Sequence, residues 1–251
     1  MNAPSRTCIV TGSASGIGAA TVLALARAGY STFGLDLNVD GAEAVALQAA
    51  LEEPGTRHAS AACDVAEESQ VVAGFAQAIT FLGRLDALVT SAGVAEMTPF
   101  MDISVAQFRR VHDVNVLGTW LCMREAARSM PPGSAICAIA SIAGLRGGGL
   151  SGTAAYAASK GGVIALAKNA ARVLAERGIR VNTLSPGATD TPMITEPLRN
   201  PAHRARIEGL AAQRRIGLAS EIAHGVVYLL SPGASFTHGA NLVVDGGIVM
   251  P

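Results

Sequence analysis

The feature that most constrains this chain is the texture of its short β-rich runs, which are apolar nearly throughout instead of alternating. Seven such runs stand out: "TCIVTG" (7–12), "STFGLD" (31–36), "HASAACDV" (58–65), "LDALVTSAG" (85–93), "SAICAIAS" (134–141), "IRVNTLSPG" (179–187) and "ANLVVDGG" (240–247). A strand with one wet face alternates apolar and polar, whereas a strand apolar at most positions is covered on both faces. Ala/Leu-rich stretches with helical spacing lie between them, at 16–29, through about 52, 67–82, 104–129 and 154–177, and Gly29 closes the first. Strand–helix alternation of this kind requires right-handed crossovers. It predicts an α/β fold with a doubly wound parallel sheet of about seven strands and helices on both faces.

Half of the 251 residues are hydrophobic and 15% are charged, which suffices for a core on two faces of a sheet. No linker, repeat or low-complexity tract divides the chain, so residues 1–251 read as a single domain. The rhythm breaks only at 188–220, a stretch with prolines and arginines that follows the sixth strand. It leaves from the strand end where such sheets bind ligands, so it reads as a lid over a site, with a plain surface excursion as the alternative. The formal net charge is zero, which argues against nucleic acid and anionic membranes as partners. The N-terminal apolar run is too short for a signal peptide, and no segment nears the roughly 18–20 apolar residues of a membrane span. A cytoplasmic protein is expected. The five histidines show no metal-ligand spacing, and Cys8, Cys63, Cys122 and Cys137 form no CxxC pair. They read as small buried hydrophobes, and no metal is expected.

"TGSASGIG" (11–18) follows the first strand and opens the first helix. Gly12 permits a tight turn, Gly16 a close backbone approach to a pyrophosphate, and Gly18 close helix packing. The helix start offers free N–H groups and a partial positive charge to phosphates. Asp36 ends the second strand, where an acid meets the adenosine ribose and repels a 2′-phosphate. No Arg or Lys lies in 13–17 or at 37, so NAD(H) is expected over NADP(H). Asp64 is placed to accept from the adenine amino group. Helix capping is the competing reading for both acids.

Of 19 cationic residues only Lys160 and Lys168 are lysine, and Lys160 lies four residues after Tyr156. On a helix this spacing puts both side chains on one face. A phenol is a poor base at neutral pH, and a nearby ammonium lowers its pKa toward acid–base use. Ser141 ends the fifth strand, 15 positions before Tyr156, and is placed to hold a carbonyl or alcohol oxygen. Asn115 sits among Val and Leu in the long helix, where a buried amide needs a partner.

These motifs together resemble the short-chain dehydrogenase/reductase family along essentially the whole chain: "TGSASGIG", Asp36, "CDV", "TSAG", "VNVLG", Ser141, "YAASK", "SPGATDTP" and "VDGG". The resemblance implies a Rossmann-type fold and a tetrad of Asn115, Ser141, Tyr156 and Lys160. Tyr156 would be the general acid/base and Ser141 would orient the substrate oxygen. Lys160 would bind the nicotinamide ribose, and Asn115 would hold a water of the proton relay. It also implies cofactor contacts from Ser15, Ile17, Leu37, Val65, Ala92, Gly93, Pro186, Gly187, Thr189 and Thr191. A homotetramer packed through 104–129, 154–177 and the C-terminal strand is implied as well. Two departures stand out. "TSAG" puts Thr90 and Ser91 where the family has two asparagines, with hydroxyls able to supply a bond or two. The interval from Ser141 to Tyr156 is about two residues long for the family, which makes Ser151 a rival hydroxyl.

The implied activity is hydride transfer between NAD and a secondary alcohol or ketone. The alternatives are an NADP(H)-dependent 3-oxoacyl-thioester reductase and a catalytically silent dinucleotide binder. Val94, Ile142, Leu150 and Met193 would make the substrate pocket mostly apolar, and Arg146, Arg199, Arg204 and Arg206 are candidates for an anionic group.

Overall fold

The computed structural model describes residues 5–53, 55–148 and 154–250. Seven parallel strands form one sheet: β1 (Arg6–Thr11), β2 (Tyr30–Asp36), β3 (His58–Ala62), β4 (Ala87–Thr90), β5 (Ala135–Ile139), β6 (Arg180–Pro186) and β9 (Asn241–Val244). Their spatial order is β3-β2-β1-β4-β5-β6-β9. The order reverses between β1 and β4, and at such a switch point the strand ends splay into a crevice.

Alternate residues of each strand feed opposite cores, which is why the runs read as apolar throughout. Ile9, Leu88 and Ile136 face one way, where α3 (Glu68–Leu82), α5 (Gly118–Ser129) and α7 (Ala154–Leu174) pack with Phe75, Leu121 and Val163. Cys8, Val10, Val89 and Cys137 face the other, against Val22 and Leu25 of α1 (Gly16–Arg27) and Ile222, Val226 and Leu229 of α10 (Ala219–Leu230). All four cysteines are free and buried. The remaining crossover helices are α2 (Val39–Glu52) and α4 (Val105–His112).

Three differences from the sequence reading have local causes. The long helix expected over 104–129 is α4 and α5 joined by a π-helical stretch, Asp113–Leu117, which contains Asn115. Helix α10 has no counterpart in that reading, although Ile222, Val226 and Leu229 carry its apolar stripe. The third strand stops at Ala62, leaving Asp64 in a turn where it accepts from Ala66 N at 2.9 Å.

The stretch 188–220 is structured. It contains β7 (Thr189–Asp190), α8 (Pro192–Leu198), α9 (Pro201–Leu210) and β8 (Gly217–Leu218), with β7 paired to β8. Ile194, Ile207 and Ile216 give it a small core of its own. Among the described residues no helix is long and apolar enough to cross a membrane, and no cluster of His, Cys, Asp or Glu suits a metal ion.

Candidate functional site

A cleft of about 320 Å³ opens along the C-terminal ends of β1, β2, β4, β5 and β6. At one end is the glycine loop. Gly12 adopts φ +69°, and a Cβ there would sit 2.7 Å from Ala92 N, so only glycine lets β1 and β4 leave the sheet this close together. A Cβ on Gly18 would collide with the Gly12 carbonyl, so the helix can start directly behind the turn. Helix α1 starts at Ser15 with no side-chain cap and no acid in its first turn. Its free N–H groups therefore retain their pull on an anion.

Asp36 holds this loop in shape. Its carboxylate accepts from Ala14 N and from Asn38 N, both at 2.9 Å. The competing reading of Asp36 as a helix cap fails, since Asn38 caps α2 by accepting from Gly41 N. Nor does Asp64 cap the next helix, whose N-cap is Glu67. Leu37 and Val65 complete this end of the wall, and Leu37 is 69% exposed.

At the other end, Tyr156 and Lys160 are both buried on α7, with Lys160 Nζ 5.8 Å from the phenol ring centre. Lys160 donates to the Ile139 carbonyl at 2.8 Å, which ties α7 to the end of β5. Burial pushes its pKa down to about 8. Burial pushes the Tyr156 phenol up, and hydrogen bonding with Ser141 draws it partly back. This differs from the lowering expected of a lysine one turn away. Both groups are desolvated together, and burial is the leading influence on each. Ser141 Oγ also accepts from Ala143 N at 3.0 Å, in the turn that starts the short helix α6 (Ala143–Arg146). Gly144 lets this turn touch α7, since a Cβ there would lie 2.6 Å from the Lys160 carbonyl carbon.

Asn115 is fully buried and acts as a clamp. Its Oδ1 accepts from Val94 N at 2.9 Å, and its Nδ2 donates to Val94 O at 3.0 Å and to Ser159 Oγ at 2.9 Å. Ser159 in turn donates to Tyr156 O at 2.8 Å. The neighbouring Ala95 packs on Tyr156 and Ala157. Both amide protons are thus committed within the protein, so this side chain has no donor left for a water.

The whole chain matches known proteins. A family model described as enoyl-(acyl carrier protein) reductase covers residues 12–249. The chain is 39% identical over 246 residues to cis-4-hydroxycyclohexanecarboxylate dehydrogenase of Sinomonas cyclohexanicum, covering 96% of both chains. It is 37% identical over 244 residues to D-threitol dehydrogenase of Mycolicibacterium smegmatis, covering 96% and 92%. It is similar in structure to a short-chain dehydrogenase/reductase, glucose/ribitol dehydrogenase, from Brucella melitensis (TM-score 0.91, 32% identity, covering 98% and 97%). The chain belongs to the short-chain dehydrogenase/reductase family.

Proteins of this family bind a nicotinamide dinucleotide. The uncapped start of α1 and the glycine cradle beneath it fit such a group. The cleft wall collects every cofactor-side residue expected from the sequence: Gly12, Ser15, Gly16, Ile17, Gly18, Asp36, Leu37, Asp64, Val65, Ala92, Gly93, Tyr156, Lys160, Pro186, Gly187, Thr189 and Thr191. A Cβ on Gly16 would meet the Thr191 side chain at 3.3 Å, so the phosphate loop and the segment after β6 close on each other. Val94, Ile142 and Met193 line the wall with Ser141, whereas Leu150 and the rival Ser151 lie outside the described residues.

Three findings escaped the sequence reading. Thr11 Oγ1 accepts from Ser91 N and Ala92 N, both at 3.2 Å, and holds the turn after β4. Its strand-end position before Gly12 was the available signal. Thr90 was expected to replace an asparagine's hydrogen bonding, yet its buried hydroxyl has no partner among the described residues. The third is the cleft's arginine. Arg146, Arg199, Arg204 and Arg206 are not among the described lining residues, and Arg204 pairs with Glu208 at 2.9 Å. Arg110 of α4 lines the cleft instead.

Proposed function

We propose that this chain is an NAD(H)-dependent dehydrogenase that oxidises a secondary alcohol on an apolar, ring-like body, or reduces the matching ketone. The observation that carries the reading is the placement of the Tyr156 and Ser141 hydroxyls in the wall of the cleft that the glycine loop opens. A dinucleotide with its phosphates at that loop would supply the hydride acceptor or donor. The protein's own part is proton transfer and positioning. Ser141 holds the substrate oxygen by a hydrogen bond. In reduction the neutral phenol, the form that burial favours, gives its proton to the substrate oxygen; in oxidation the alcohol proton passes to the Tyr156 oxygen once the phenol has ionised. Lys160, with a pKa of about 8, carries its charge close to the point where it exchanges a proton near neutral pH. Asp36 favours NAD by presenting a carboxylate where a 2′-phosphate would sit.

The apolar wall from Val94, Ile142 and Met193 supports an apolar substrate body. So does the relative that acts on a hydroxycyclohexane ring. Tyr156→Phe tests the role: turnover should fall by about 10²–10⁴-fold with dinucleotide binding unchanged. Turnover near the parent level would remove Tyr156 from the chemistry. The description of the matching family model favours a second reading, NADPH-dependent reduction of the 3-oxo or enoyl group of an acyl-thioester substrate. An exposed Leu37 in place of a cation weighs against the NADPH such an enzyme would use. Reduction of a 3-oxoacyl or enoyl thioester by NADPH, with cyclic ketones left untouched, would select it.

A further inference from the structure

Among the described residues four charged side chains line the cleft: Asp36, Asp64, Arg110 and Lys160. Three are committed. Asp36 and Asp64 accept backbone N–H groups, and Lys160 is buried against the Ile139 carbonyl. Arg110 has no hydrogen bond or ion pair among the described residues and is exposed at the rim. Neighbouring Arg109 is absent from the described lining.

The backbone beneath Arg110 is fixed. Gln107, one turn earlier, donates to Glu96 Oε2 at 3.2 Å and to Thr98 Oγ1 at 3.1 Å. Asn115, five residues further on, clamps Val94. The turn held at both points is the one whose Ala95 packs on Tyr156. A guanidinium carried on so rigid a support, in a lining that also holds the apolar Val94, Ile142 and Met193, is suited to bidentate capture of a carboxylate.

Resting on the function proposed above, we infer that Arg110 recognises a carboxylate on the substrate, so that the preferred substrate is a secondary alcohol whose apolar body ends in an acid. Its role is binding and orientation, with no part in moving the proton.

The test uses calorimetry on the full chain with cyclohexanecarboxylate, a probe without a hydroxyl and so unable to react, and turnover of cyclohexanol with NAD⁺. Arg110→Ala should weaken binding of the carboxylate by about 10–150-fold. Arg110→Lys should recover part of that loss, and kcat/KM for cyclohexanol should stay at the parent value. Equal carboxylate binding by the parent and Arg110→Ala would overturn the inference. So would a parallel fall in cyclohexanol turnover, which would make Arg110 structural. A changed NADP⁺/NAD⁺ ratio with unchanged carboxylate binding would assign the anion to the cofactor's phosphate, also against it. Failure of the parent to oxidise cyclohexanol would count against the proposed function, while the calorimetry would still decide Arg110.

Discussion

Replacing Asn115 with alanine removes three hydrogen bonds from a fully buried side chain. Ser159 keeps its bond to the Tyr156 carbonyl, so the loss falls on Val94, whose N–H and C=O both lose their partner. Each orphaned polar group costs about 1–3 kcal/mol, and the lower end applies because Val94 is only half-buried. The vacated amide adds a cavity, bringing the expected destabilisation to about 3–4 kcal/mol. That is a large share of the roughly 5–15 kcal/mol typical of a folded domain. Urea unfolding without dinucleotide is the assay, and the midpoint should drop by about 1–2 M at constant slope. Asn115→Asp keeps an acceptor for Val94 N–H but lacks both donors, so it should be destabilised as well. A loss below about 1 kcal/mol for the alanine variant would refute the clamp and return Asn115 to a purely catalytic role.

Asp36→Ala should loosen the glycine loop and relax discrimination against NADP⁺; an unchanged ratio of kcat/KM for the two dinucleotides would exclude the ribose contact. Thr90→Val replaces a buried hydroxyl without a partner by a methyl group. It should stabilise the fold by about 1 kcal/mol and raise Tm by roughly 2–4 °C in a scanning-calorimetry trace. Lys160 and the thiols give stability an alkaline pH profile. With Lys160 lowered from 10.5 to about 8, the unfolded chain alone holds that proton between these values, so this group's contribution rises with pH across the window. Cys63 and Cys137 are raised from 9.0 to about 11 and about 12 and oppose it: above pH 9 both unfolded thiols ionise while the folded ones do not, which outweighs the single lysine, and stability falls. Urea midpoints should pass through a maximum near pH 9, and Lys160→Met should abolish the rising limb; a rising limb that persists in that variant would show that Lys160 is not its source.

Strand positions were legible because a two-sided sheet writes itself as uninterrupted apolar runs, and the glycine loop because few residues tolerate its backbone. The Tyr156–Lys160 pair followed from helical spacing alone. Each of these is a local rule, acting within one element or one turn. What the tertiary structure decided depends on segments far apart in the chain. Asn115 became a clamp because Val94 and Ser159 converge on it, and Asp36 a brace because Ala14 lies above it. Thr90 Oγ1, buried at the end of β4, has no partner among the described residues, which depends on what the fold brings beside it. The acidity of Tyr156 is the sharpest case. Sequence gives the distance between phenol and ammonium, but their pKa values follow from how much water the fold removes from each, and desolvation is a property of the assembled cleft.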